Sequence, residues 1–165
     1  MDRPQYLLDA NIFIEAAKRY YAFDIAPGFW RKLEQLAEES RVCSVDRVQR
    51  ELMKSNDQLA TWAKKQFSTA FLATDEPEVV TEYQQVMRWV SAQGQFFDAA
   101  KDEFASGADG WLIAYAKARA YVVVTDELLN PSIKRRVPNP NVCHAFGVRC
   151  VNTFGMLREL WVSFS

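Results

Sequence analysis

The segment Tyr121-Val122-Val123-Val124-Thr125 constrains the fold more than any other in this chain. Three consecutive valines leave no polar alternation, so a strand built from them must be covered on both faces, as in a parallel sheet. Tyr6-Leu7-Leu8, within a short buried strand over residues 5–9, Val42-Cys43-Ser44, and Val148 to Val151 read as further short strands. Between them the apolar residues recur at helical spacing. Helices are expected from Asn11 (placed as a cap) to about Tyr21, from Phe29 to about Ser40, and behind Ser44 or Asp46 as a cap, carrying Val48, Glu51, Leu52 and Met53. Residues 56 to about 105 read as helical throughout, with Pro77 near a first turn. Asp109 to Ala118 and Thr153 to about Trp161 are the last helices, and a polar loop holding Pro131, Pro138 and Pro140 lies between them. Strands alternating with helices predict an α/β fold with a parallel sheet between helical layers. The chain of 165 residues, without an internal repeat or low-complexity linker, fits one domain spanning residues 1–165.

Acidic residues open or close the apolar runs. Asp9 follows Tyr6-Leu7-Leu8, and Asp126 and Glu127 follow the valine strand. Glu51 lies on the helix after the second strand, and Asp109 opens the helix Gly110-Trp111-Leu112-Ile113-Ala114. Taken singly, each has a plain structural explanation: a turn, a helix cap, a dipole partner. Jointly, carboxylates at strand exits and helix starts converge at the sheet edge where α/β folds hold ligands. Like charges so gathered raise one another's pKa, and a hard oxygen-loving cation such as Mg²⁺ relieves this. Asn11 and Thr125 supply neutral oxygens beside the two strand-end acids.

Composition narrows the chemistry. A single histidine, His144, leaves little room for histidine-based acid–base catalysis, and no Gly-x-Ser-x-Gly, Walker A or Gly-x-Gly-x-x-Gly motif occurs. Cys43, Cys143 and Cys150 fit neither a zinc site nor a disulfide framework and read as reduced thiols. The net charge of −1 is unlike that of a general polyanion binder, so any nucleic acid must be met by a local basic patch and a metal. Lys134-Arg135-Arg136, Arg47 and Arg50 are the candidates for phosphate contacts, against a solvated loop and local ion pairs as the plain alternatives. No apolar run approaches the ~20 residues that cross a bilayer, and no signal peptide opens the chain; a cytoplasmic protein is expected.

Leu7-Leu8-Asp9-Ala10-Asn11, Glu51, Ala108-Asp109-Gly110-Trp111-Leu112-Ile113-Ala114 and Val124-Thr125-Asp126-Glu127 resemble the motifs of PIN-domain ribonucleases, among them the toxins of bacterial toxin–antitoxin pairs. Pro140-Asn141-Val142-Cys143-His144-Ala145-Phe146-Gly147-Val148 resembles a PIN-like branch related to DUF4411. The resemblance implies a PIN-like three-layer fold in which residues 55–105 are longer than their counterpart. It also implies that Asp9, Glu51, Asp109 and Asp126, with Glu127 in place of or beside Asp126, bind Mg²⁺ or Mn²⁺. A metal-activated water would cut RNA to leave a 5′-phosphate and a 3′-hydroxyl. An antitoxin and a homodimer are the implied partners. Two other classes compete: a catalytically silent PIN-like binding protein, and another Mg²⁺-dependent phosphohydrolase such as a haloacid-dehalogenase-like phosphatase. The second lacks its required second aspartate, because Asn11 occupies that position.

Overall fold

The computed structural model describes residues 3–164. Its five strands are β1 (Tyr6–Leu8), β2 (Val42–Val45), β3 (Phe71–Leu72), β4 (Val122–Val124) and β5 (Cys150–Val151). All pair in parallel, in the order β3-β2-β1-β4-β5. Leu7 and Leu8 lie opposite Val123 and Val124, and all four are fully buried, as a strand pair covered on both faces requires. The chain builds the sheet outward from β1 to β3, then crosses back to lay β4 on the other side of β1. The exits of β1 and β4 therefore lie at a topological switch point, where open α/β sheets form a crevice.

Nine α-helices flank the sheet among the described residues: α1 (Ala10–Glu15), α2 (Pro27–Glu38), α3 (Asp46–Met53), α4 (Gln58–Lys65), α5 (Pro77–Ala92), α6 (Asp98–Ser106), α7 (Asp109–Arg119), α8 (Asn139–Ala145) and α9 (Thr153–Glu159). The α/β class and parallel sheet agree with the sequence reading. Local differences have identifiable causes. Asp9, not Asn11, caps α1, because its carboxylate accepts the N–H of Ile12 at 3.0 Å. Neither Ser44 nor Asp46 caps α3: the Ser44 hydroxyl donates to the Leu8 carbonyl, while Asp46 lies inside the first turn and accepts from Thr74. Residues 56–105 are not helical throughout. They form α4, the short strand β3, α5 and α6, and two strand residues are too few to display a period. Helix α8 replaces part of the expected Pro-rich loop; Pro140 sits in its first turn, where a missing N–H costs no hydrogen bond.

One flank of the sheet is an aromatic wedge. Phe13 of α1 meets Trp62, Phe67 and Phe71 at centroid distances of 5.9, 5.7 and 6.0 Å. Trp62 stacks on Phe67 at 4.6 Å and donates its indole N–H to Glu34, so its polar atom is satisfied. Opposite, α7 packs against α5 with little clearance: a Cβ on Gly110 would lie 3.1 Å from the Tyr83 ring. This close seating fixes the first turn of α7 and the Asp109 it carries.

Candidate functional site

Asp9 leaves β1 while its backbone N–H still donates to the Val124 carbonyl at 3.1 Å, so β4 sets where its side chain begins. The residue is only 2% exposed. Oδ1 accepts from the Ile12 N–H, and Oδ2 accepts from Nδ2 of Asn139 at 3.2 Å. Burial, then the nearby charge of Asp109, push its carboxyl up to about 7, against a partial pull downward from Thr125 and the Ile12 N–H.

Asp109, in the first turn of α7, is half-buried. Its carboxyl is pushed up to about 6, first by burial and next by the charge of Glu127, with Glu51 adding to the rise. Glu51 reaches from α3 to accept the Ala108 N–H at 2.9 Å, securing the N-terminus of α7. Glu127 comes from the loop after β4. Its Oε1 pairs with Arg136 at 2.8 Å, its Oε2 accepts the Asn139 N–H at 2.9 Å, and its own N–H donates to Thr125 Oγ1. At the switch point the charges of Asp109 and Glu127 thus act on Asp9, and those of Glu127 and Glu51 on Asp109. A cleft of about 330 Å³ opens there, lined by Asn11, Glu51, Lys54, Asp109 and Arg136 among others.

Asp126 departs from the expected quartet. It accepts from the N–H and hydroxyl of Thr153 at 2.9 and 3.1 Å, which serves the N-terminus of α9. It lines a separate, more apolar cavity with Ile12, Tyr21 and Phe154. Glu127, the next residue, is the one whose charge acts on Asp9 and Asp109. Of the basic candidates, Arg136 borders the cleft. Arg47 is committed elsewhere: its guanidinium lies 4.1 Å over the Trp111 ring, and Nε donates to Thr74. Arg50 approaches Asp46 at 4.0 Å, and Lys134 and Arg135 are exposed. Asn139, which the sequence reading passed over, touches Asp9 through its side chain and Glu127 through its backbone. Its only signal was an asparagine flanked by prolines, a pattern shared by ordinary turns.

Among the described residues, no three His, Cys, Asp or Glu side chains converge closely enough to hold a metal ion as they stand. The donor chemistry nonetheless suits a hard cation, being carboxylate and amide oxygens throughout. Oδ1 of Asn139, a residue 1% exposed, is buried without a hydrogen-bond partner, and it is the one such side-chain atom among the described residues. A buried acceptor left bare in this way is accounted for by an ion or by water.

Two solved structures are similar in fold. FitAcB from Neisseria gonorrhoeae aligns with a TM-score of 0.55 at 20% identity, covering 91% of this chain and 99% of its own. VapBC2 from Rickettsia felis, bound to a DNA fragment from their promoter, aligns with a TM-score of 0.53 at 14% identity, covering 89% and 97%. No curated protein matches the sequence. No helix among the described residues is long and apolar enough to cross a membrane. The family profile described as "Domain of unknown function (DUF4411)" matches residues 6–164. With the parallel five-stranded sheet and acid-lined switch point in place, the chain belongs to the DUF4411 family and takes a PIN-like fold.

Proposed function

We propose that the protein is a Mg²⁺- or Mn²⁺-dependent endoribonuclease, the toxin of a toxin–antitoxin pair, acting as a single domain with Asp9, Glu51, Asp109 and Glu127 as its acidic site. The observation that supports this reading is the set of acids gathered around the exits of β1 and β4: Asp109 and Glu127 act on Asp9, Glu127 and Glu51 act on Asp109, and burial with these charges raises both carboxyls well above their ordinary range. A divalent ion, when bound, supplies charge neutralisation and a water made nucleophilic at neutral pH. The chain's residues do the rest. Asp9 is held by Ile12 and Asn139, so its orientation is set before substrate arrives. Glu51 ties the cleft to α7, and Lys54 and Arg136 at its wall offer positive charge to the RNA backbone. Lys134 and Arg135 extend that charge along the same exposed loop.

The partners follow from the fold relatives: both come from paired systems, FitAcB and VapBC2, and a protein antitoxin together with a homodimer is proposed here by analogy. A cytoplasmic location suits that role. One observation favours a second reading, a catalytically silent binding protein. Glu51 and Glu127 already have protein partners, which neutralise part of the acidity without an ion. Purified protein with Mn²⁺ and single-stranded RNA separates the two. Cleavage that EDTA stops and Asp9→Asn removes supports the nuclease; intact RNA across varied sequences with the metal present supports the silent protein.

A further inference from the structure

Asn139 bridges two acids of the site, one through its backbone and one through its side chain. Its backbone N–H donates to Glu127 Oε2 at 2.9 Å and its amide donates to Asp9 Oδ2 at 3.2 Å. The same amide draws the Asp109 carboxyl down, against the burial that raises it. It reaches these partners because it opens α8, immediately after Pro138, whose fixed φ sets the entry to the helix. Thr125, just past the end of β4, accepts the Glu127 N–H, and Arg136 pairs with Glu127, whereas Asn139 reaches both Glu127 and Asp9.

The side-chain oxygen adds an independent observation. A buried amide oxygen without a donor is costly in general, and folded chains leave few of them. With Asp9 ionised, as it would be beside a bound ion, rotating the amide would set Oδ1 against a carboxylate and take the N–H from its acceptor. The bare oxygen therefore fits a partner from outside the protein. Mg²⁺ and Mn²⁺ sites of this kind keep several waters, each of which has protons to donate.

We propose that Asn139 is a positioning residue of the acidic site: its side-chain N–H aims Asp9 while its backbone N–H holds Glu127, and its Oδ1 accepts a hydrogen bond from the hydration shell of the divalent ion. This rests on the metal-dependent reading of the site. Residues that orient ligands in this way affect metal affinity by about 10- to 100-fold when removed. The backbone N–H to Glu127 survives any substitution except proline, so replacing the side chain isolates the amide.

The test is a Mn²⁺ titration followed by the loss of the free-ion electron paramagnetic resonance signal, comparing the wild type, Asn139→Ala and Asn139→Ser at a temperature where circular dichroism shows each fully folded. The expected result is wild-type binding, with the Kd raised about 10- to 100-fold in Asn139→Ala. Asn139→Ser, which keeps a small donor and acceptor, should recover part of the loss. Should Asn139→Ala not fold, the comparison of Asn139→Ser with wild type decides, and a raised Kd again supports the role. An unchanged Kd in a folded variant overturns the positioning role while leaving the metal site standing. A wild type that does not bind Mn²⁺ at all overturns the metal-dependent reading itself and this inference with it. A structural role alone would alter melting temperature but not the Kd of the folded protein.

Discussion

Asp9 at the exit of β1 and Phe13 one turn later on α1 belong to the acidic switch point and the aromatic wedge, two regions built on opposite terms. Around Phe13 every large side chain is buried against another ring, and the one polar atom of Trp62 finds Glu34. Around Asp9 the chain buries charge beside charge, two carboxyls sit far above their normal pKa, and an amide oxygen is left bare. Sequences that specify a fold satisfy such groups nearly everywhere and violate the rule at functional sites. The wedge contributes stability that the acids diminish, and the contrast marks where selection has favoured something besides folding.

Substitutions that exchange these roles should move different observables. The largest stability effect belongs to the wedge: Phe13→Ala removes a fully buried ring and should cost about 3–5 kcal/mol. Guanidinium denaturation would measure it, and the Mn²⁺ affinity of the folded protein should not change. A loss of affinity without a loss of stability would dissolve the distinction between the two regions.

The acids predict the reverse. In the folded chain Asp9 retains its proton up to about pH 7, whereas unfolded it releases it near the ordinary aspartate value of 3.8. The native state therefore binds more protons than the unfolded state across that window, and its stability falls as pH rises through it. Asp109 acts in the same direction up to about pH 6. Metal-free protein should melt lower at pH 8 than at pH 5, with Asp9 alone accounting for about 2–3 kcal/mol of that difference. Asp9→Asn should remove most of that slope and raise the melting temperature at pH 8 in EDTA. A variant that loses stability at pH 8 would show that Asp9 is held as a favourable ion, contrary to its setting.

A smaller pair of effects distinguishes two neighbours. Asp126→Asn weakens charge-assisted bonds to Thr153 and should cost about 1–2 kcal/mol, without a change in Mn²⁺ affinity. Glu127→Gln should weaken Mn²⁺ binding instead. Calorimetric titration beside thermal melts would read both, and an inverted pattern would return Asp126 to the site. The smallest expected change is Arg47→Ala, about 1 kcal/mol from losing its position over Trp111, with cleavage of RNA retained.

How much of this was legible in the sequence follows from the same contrast. The valine run of β4 announced a strand covered on both faces because it has no polar alternative. Asp9, Glu51 and Asp109 stood out because each is attached to an apolar run that fixes where it lies. Asp126 and Glu127 could not be separated, since which of two consecutive side chains faces the crevice depends on the register of β4 against β1 and β5. Asn139 was invisible because its importance comes from contacts to residues 12 and 130 positions away, and a Pro-Asn-Pro string ordinarily means a turn. Strand β3 was missed because two residues carry no period, and only Phe13 and the register with β2 place Phe71.

The most direct test of the central claim is a crystal soaked in Mn²⁺ and measured for anomalous scattering. A peak among the carboxylates of Asp9, Asp109 and Glu127, with the Asn139 amide beside it, is the result expected. A fully occupied peak at Asp126 and Thr153, or none anywhere at a Mn²⁺ concentration that supports RNA cleavage, would contradict it.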